Sequence, residues 1–146
     1  TELFGGKRVL VFSLPGAFTP TCSTYQLPGF EENYETIKDN DIDEIYVSSV
    51  NDSFVMNAWA QHLGIKNIKV IPDGNGELAK SLDMLIDMSA VGFGKRSRRF
   101  AVVINDCKVE RMFVEPEASA DNPDPYGETS PENVMEYLNS KVVEAA

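Results

Sequence analysis

A chain of 146 residues is long enough for one domain with one core and short for two. Thirteen Lys and Arg against twenty-three Asp and Glu leave a formal charge of −10, which repels nucleic-acid backbones and anionic membrane surfaces and argues against both as partners. Two cysteines are too few for a disulfide scaffold, and a lone histidine, His62, all but excludes a Cys/His zinc site within one chain.

No apolar run approaches the roughly 20 residues that span a bilayer. The opening TELFGGKRVLVFSLPGAF lacks the basic start and cleavage site of a secretory signal. The expectation is a soluble cytoplasmic protein, or an organellar one if a presequence has been removed.

In chain order, RVLVFS at Arg8–Ser13 is an apolar, β-branched run between GGK and LPG, the pattern of a buried strand. The stretch from Ser13 to Ser23, SLPGAFTPTCS, is a stiff turn. Pro15 and Pro20 each fix a φ angle, and Gly16 permits close backbone approach. From Cys22 the period changes: Leu27, Phe30, Tyr34 and Ile37 recur as on one helical face, and the interrupting Pro28 and Gly29 predict a kinked or two-part helix.

EIYVSSV, Glu44–Val50, is a second strand, and the following NDS supplies caps for a helix with Val55, Ala58, Trp59 and His62 on one face. IKVI before PDGNG is a third strand, and GELAKSLDMLIDM a further helical stretch. RFAVVI and VERMFV flank a turn at NDCK and form an antiparallel hairpin. Ser130 and Pro131 read as N-cap and first residue of a last helix that buries Val134, Tyr137 and Leu138.

This order describes an α/β chain with a thioredoxin-like fold, a central mixed β-sheet flanked by helices, in one domain over residues 1–146. Before the last helix, EPEASADNPDPYGETS holds three prolines, five acids and no apolar period. A loop of that length inside a domain is functional or disordered.

Cys22 falls where the turn becomes a helix. First-turn N–H groups and the positive end of the helix dipole there lower a thiol pKa from about 8.5 toward roughly 3.5–7.5. Thr19, three residues earlier, brings a hydroxyl that can accept and donate at the sulfur. The bland alternative is a small buried hydrophobe at Cys22 and an ordinary helix cap at Thr19.

In GKRSRRF, Lys95, Arg96 and Arg98 read as a solvated charge run. Arg99 leads directly into a strand that can hold its guanidinium rigidly toward a site, where it would stabilise a thiolate and donate to an oxygen substrate. His62 reads as a packed or partly exposed helix residue rather than a catalytic base, and Trp59 as core or pocket wall. Cys107 reads as an exposed turn residue, and the lack of any C-x-x-C argues against dithiol exchange.

The segment PGAFTPTC resembles the active-site motif of the peroxiredoxins. It is most similar to the subgroup holding animal peroxiredoxin five, the plant type-II enzymes and the bacterial peroxiredoxins fused to glutaredoxin. The resemblance runs in order through ELFGGKRVLVFSLPGAFTPTCS, LPGF, SVNDSFVMNAW, RRFAVVI, VEPE and a helix-forming end. It implies a thioredoxin-like fold, no metal or organic cofactor, and reduction of hydrogen peroxide or alkyl hydroperoxides. The family's conserved proline falls on Pro15, its threonine on Thr19, its peroxidatic cysteine on Cys22 and its arginine on Arg99.

The implied mechanism has the Cys22 thiolate attack one peroxide oxygen while Thr19, Arg99 and the Cys22 N–H hold the oxygens, leaving a sulfenic acid. Animal members carry a resolving cysteine where this chain reads GETS. Ser130 takes that place and forms no disulfide, so the expected reductant is glutathione and/or glutaredoxin, with thioredoxin ranked second. Lys95, Arg96 and Arg98 are candidates to attract anionic glutathione.

The resemblance further implies a homodimer packed near the active-site loops. Family members also carry early strands ahead of the segment equivalent to TELFGGK, and this chain is expected to lack them. A rival reading is a redox sensor or partner-binding protein switched by Cys22 oxidation, which the acidic loop keeps open. A cysteine hydrolase is the weakest alternative, since His62 has no motif support.

Overall fold

The computed structural model describes residues 4–19, 26–116 and 126–145, the last five by backbone alone. Its centre is a mixed sheet of five strands in the order β3-β2-β1-β6-β7, built from β1 (Arg8–Leu14), β2 (Glu44–Ser49), β3 (Lys69–Pro72), β6 (Phe100–Asn105) and β7 (Lys108–Val114). β1 pairs in parallel with β2 and antiparallel with β6. It is buried on both faces, which explains why its sequence is continuously apolar rather than alternating.

One face of β1 presents Leu10, Phe12 and Leu14 to the helices α1 (Leu27–Glu32), α2 (Tyr34–Lys38), α3 (Ser53–His62) and α5 (Pro131–Ala145). Phe12 and Phe30 stack there at a centroid distance of 4.2 Å. The other face presents Val9 and Val11 to a smaller cluster with Phe100, Val102 and Met84, which Leu78 of α4 (Glu77–Ser81) joins from its edge.

The two-part helix is present, but the break is at Asn33 rather than at Pro28 and Gly29. Pro28 sits in the first turn of α1, where a missing N–H costs nothing. Gly29 lies against α5: a Cβ there would come within 3.0 Å of Pro131 Cγ. Asn33 ends α1 by donating both its backbone N–H and its Nδ2 to the Gly29 carbonyl.

In α3, Asp52 is the N-cap and accepts from the Val55 N–H at 2.8 Å. The buried residues are Met56 and Trp59, whereas Ala58 and His62 are exposed, so the inner face is rotated from the one expected. Met56 with Trp59 and Leu63 fits the helical period and brings more apolar volume inward than Ala58 and His62 could.

The stretch GELAKSLDMLIDM is helical only through Ser81. Asp83 adopts φ +59°, a left-handed conformation that ends the helix, and β4 (Leu85–Asp87) then pairs antiparallel with β5 (Lys95–Ser97). This ribbon takes up part of the basic run and was not expected from the sequence.

The β6–β7 hairpin turns through Asp106 and Cys107, with φ +50° and +67°, the handedness that matches the twist of paired strands. Ser130 caps α5 as expected, its Oγ accepting from the Asn133 N–H at 3.2 Å. Val134 and Leu138 are fully buried, and Tyr137 is half-buried. No helix among the described residues is long and apolar enough to cross a membrane.

Candidate active site

The carboxyl ends of the parallel strands β1 and β2 lie at the same end of the sheet as the start of the antiparallel β6, and it is outside the carboxyl ends of strands that open α/β sheets place ligands. Ser13 pairs with Phe100 at that end. The register therefore brings Pro15, Thr19 and Arg99, remote in sequence, to one end of the sheet. Cys22 and Pro20 lie outside the described residues.

The loop after β1 is braced from three sides. The Ala17 N–H donates to Asn51 Oδ1 at 3.1 Å, and the same oxygen accepts from Ser49 Oγ at 2.6 Å, fixing the loop to the end of β2. Thr19 Oγ1 donates to the Gly16 carbonyl at 2.7 Å, which commits the hydroxyl proton and leaves the oxygen's lone pairs as acceptors. A Cβ at Gly16 would meet Arg96 Nη1 at 3.2 Å and Thr19 Cγ2 at 3.3 Å, so the backbone there is packed against both.

Phe18 is held at φ +63°, a conformation that costs a non-glycine residue about 1–3 kcal/mol and persists only where surroundings enforce it. Its ring is 53% exposed and stands 5.8 Å from that of His62.

Arg99 immediately precedes β6 and is only 5% exposed. Its Nη1 donates to Oε1 of the fully buried Gln26, the residue before α1. The Tyr126 ring lies 6.0 Å from Arg99 Cζ. Burial, with Glu132 adding to it, pushes the Tyr126 hydroxyl up to about 12, so it stays protonated beside the guanidinium.

The basic run does not converge. Arg96 spends its Nε on the Phe93 carbonyl at 3.0 Å and Nη1 on that of Val50 at 3.3 Å, whereas Arg98 Nη2 reaches the Glu115 carbonyl at 3.0 Å. Lys95 is exposed on β5, opposite Asp87. Trp59 is core at 0% exposure, and the ring of the exposed His62 stands beside that of Phe18 at the edge of the loop.

Cys107 is exposed in the hairpin turn beyond Asn105, which pairs with Arg8. From Ser13 to Arg8 is five residues of β1. At about 3.4 Å per residue that is roughly 17 Å, so Cys107 occupies the opposite end of the sheet from Arg99.

Gln26, Asn51 and Tyr126 belong to this end of the molecule and were not singled out in the sequence. Asn51 was visible only as a cap candidate. Gln26 stood directly before an apolar helical period, where a buried polar side chain has no pattern of its own to mark it.

The family model described as Redoxin matches residues 1–127. The chain is 54% identical over 141 residues to a peroxiredoxin of Rhizobium etli, across 95% of this chain and 78% of that protein. Among solved structures it is similar to the Plasmodium falciparum antioxidant protein, a 1-Cys peroxiredoxin, with TM-score 0.89 and 42% identity over 95% of this chain and 79% of that one. It is also similar to reduced Prx3 of Vibrio vulnificus in complex with hydrogen peroxide, with TM-score 0.88 and 35% identity over 97% and 83% of the two chains. The fold is thioredoxin-like, as the element order suggested.

Proposed function

The chain belongs to the peroxiredoxin family and is a thiol-dependent peroxidase, and from that premise we propose that Cys22 is its peroxidatic nucleophile in a one-cysteine cycle closed by an external thiol. The observation that carries this reading is the buried Arg99, held by Gln26 at the same end of the sheet as the braced Pro15–Thr19 loop. A guanidinium in that setting favours a neighbouring thiolate and supplies fixed donors to peroxide oxygens without risk of deprotonation.

The Cys22 thiolate attacks one oxygen of ROOH, forming an S–O bond as the O–O bond breaks. The leaving alkoxide or hydroxide takes a proton and departs as alcohol or water, and Cys22 is oxidised to sulfenic acid. Thr19, its proton given to the Gly16 carbonyl, accepts from the hydroperoxide O–H, while Arg99 donates to the oxygens as charge moves onto them. Pro15 fixes the backbone where the loop leaves β1. Glutathione then condenses with the sulfenic acid, releasing water, and a second thiol, free or delivered by glutaredoxin, reduces the mixed disulfide back to Cys22. Thioredoxin ranks second as the donor.

Three observations support the one-cysteine cycle. Ser130 is engaged as the cap of α5, and Cys107 stands at the far end of the sheet. The similar Plasmodium falciparum protein is a 1-Cys peroxiredoxin. A homodimer is supported by the exposed Phe18 at 53% and Phe54 at 85%, which flank the loop contact between Ala17 and Asn51.

Peroxide consumption, followed with glutathione plus glutaredoxin and separately with thioredoxin plus its reductase, tests the cycle in wild type, Cys22→Ser and Cys107→Ser. Turnover is expected to vanish in Cys22→Ser alone. Equal loss in Cys107→Ser would overturn the resolving step, and stoichiometric oxidation without turnover would favour a sensor.

A further inference from the structure

Glu115 follows β7 and is only 5% exposed, a burial that a carboxylate tolerates when donors surround it. Its Oε1 accepts from the N–H groups of Gly127 at 3.1 Å and Glu128 at 3.2 Å. Its Oε2 accepts from the N–H groups of Gly127 at 2.9 Å and Thr129 at 2.7 Å, and from Thr129 Oγ1 at 2.6 Å. Three successive backbone N–H groups and a hydroxyl thus wrap one anion. Burial raises the carboxyl's pKa, but these donors outweigh it and hold the group below the usual carboxylate range.

The backbone of the same residue faces the candidate active site. The Glu115 N–H donates to the Arg99 carbonyl at 3.4 Å, and its own carbonyl accepts from Arg98 Nη2 at 3.0 Å. Glu115 therefore joins two pieces of chain: the start of β6, which carries Arg99, and the turn at 127–129. Tyr126, whose ring stands over the Arg99 guanidinium, is covalently next to that turn.

We propose that Glu115 is a positioning residue for the peroxidase reaction, gripping residues 127–129 so that the Tyr126 ring is held against Arg99 and its donors keep one direction. The proposal rests on Arg99 acting on peroxide, as read above. A carboxylate suits the task because it only accepts; an amide of the same shape would turn an N–H₂ group toward N–H donors.

The test is the single-turnover rate constant of the reduced protein with hydrogen peroxide, measured for Glu115→Gln, Tyr126→Leu, Tyr126→Phe and Arg99→Gln, and for the first two combined with Arg99→Gln. Small displacements of a positioned group are costly, so Glu115→Gln and Tyr126→Leu are each expected to slow the reaction about tenfold, and Tyr126→Phe, which keeps the ring, by less than about twofold. Because both act through Arg99, neither is expected to slow Arg99→Gln any further, whereas a merely structural defect would add to it.

A wild-type rate in Glu115→Gln or in Tyr126→Leu, or a further loss in the double variants, overturns the proposal. If Glu115→Gln does not fold, the Tyr126 series decides alone. A wild-type rate in Arg99→Gln would instead overturn the reading of Arg99, and this proposal with it.

Discussion

Two arginines sit at opposite ends of neighbouring strands and are held in different ways. Arg8 opens β1, grips both carboxylate oxygens of Glu110 at 3.0 and 2.7 Å, and donates to the Asn40 carbonyl at 3.0 Å. Arg99 precedes β6, is buried, and is oriented by the neutral amide of Gln26. Either acceptor can aim a guanidinium, but only the carboxylate cancels its charge. The Arg8 end is built as an ion pair that fastens the β7 edge, further tied by Tyr137 donating to Glu110 at 2.7 Å. At the Arg99 end the Gln26 amide fixes the direction of one donor and adds no charge of its own.

The largest expected effect separates the two ends directly. With Arg99 in the role proposed for it, Arg99→Gln removes donors to the developing charge and is expected to slow single-turnover peroxide reduction by about 10²–10³-fold. Arg8→Gln, some 17 Å away along β1, is expected to stay within about twofold. Equal losses in stopped-flow traces of the two would erase the distinction.

Next in size is the choice of partner. Gln26→Leu deprives Arg99 of a buried acceptor and is expected to lower the rate about tenfold at every pH. Gln26→Glu retains an acceptor but adds a charge that offsets the guanidinium, making this end resemble the Arg8 end. The pH midpoint of peroxide reactivity is then expected to rise toward about 8.5, the ordinary thiol value. A midpoint unmoved in Gln26→Glu would show that the neutrality of the partner is irrelevant.

What the sequence disclosed follows the same division. Strands β1, β2 and β6 were legible because burial on both faces forces a continuous apolar run, and the placement of Arg99 at the start of β6 was legible because it abuts one of them. The short ribbon β4–β5 was missed because three-residue strands carry too few alternations to outweigh the helix formers before them. Gln26, Glu115 and Tyr126 were missed for another reason. Their contacts span 73, 12 and 27 positions, respectively, and no local pattern encodes such partners. The inner face of α3 is turned by one position from the expected one because Met56 brings more apolar volume inward than Ala58.

A smaller effect concerns stability at the Arg8 end. The Arg8 hydrogen bond, chiefly, holds Glu110 below the ordinary carboxylate pKa against some desolvation. A carboxylate depressed on folding contributes stability that is complete above its unfolded pKa, near 4.3, and is lost as pH falls through the lower folded value. Because the pair is partly exposed, solvent screening limits it to about 0.5–1 kcal/mol. Glu110→Gln is expected to lower the melting temperature slightly at pH 7 and to converge with wild type near pH 2–3. The peroxide rate constant at pH 7 is expected not to change.

The smallest expected effect bears on Cys107, which shares the Arg8 end of the sheet. Asp106 and Cys107 both occupy left-handed backbone in a two-residue hairpin turn, at φ +50° and +67°. Glycine enters that region without steric cost, and Asp-Gly is a favoured pair for such turns. Cys107→Gly removes a thiol and relieves strain together, and is expected to stabilise the fold by about 0.5–1 kcal/mol, or some 2–4 °C in melting temperature for a chain of this size. Turnover with glutathione and glutaredoxin should be unchanged, because the cysteine is far from Arg99 and exposed. A more stable variant that binds and reduces peroxide once but no longer cycles would locate the resolving thiol at this turn, and would require the two ends of the sheet to meet between different copies of the chain.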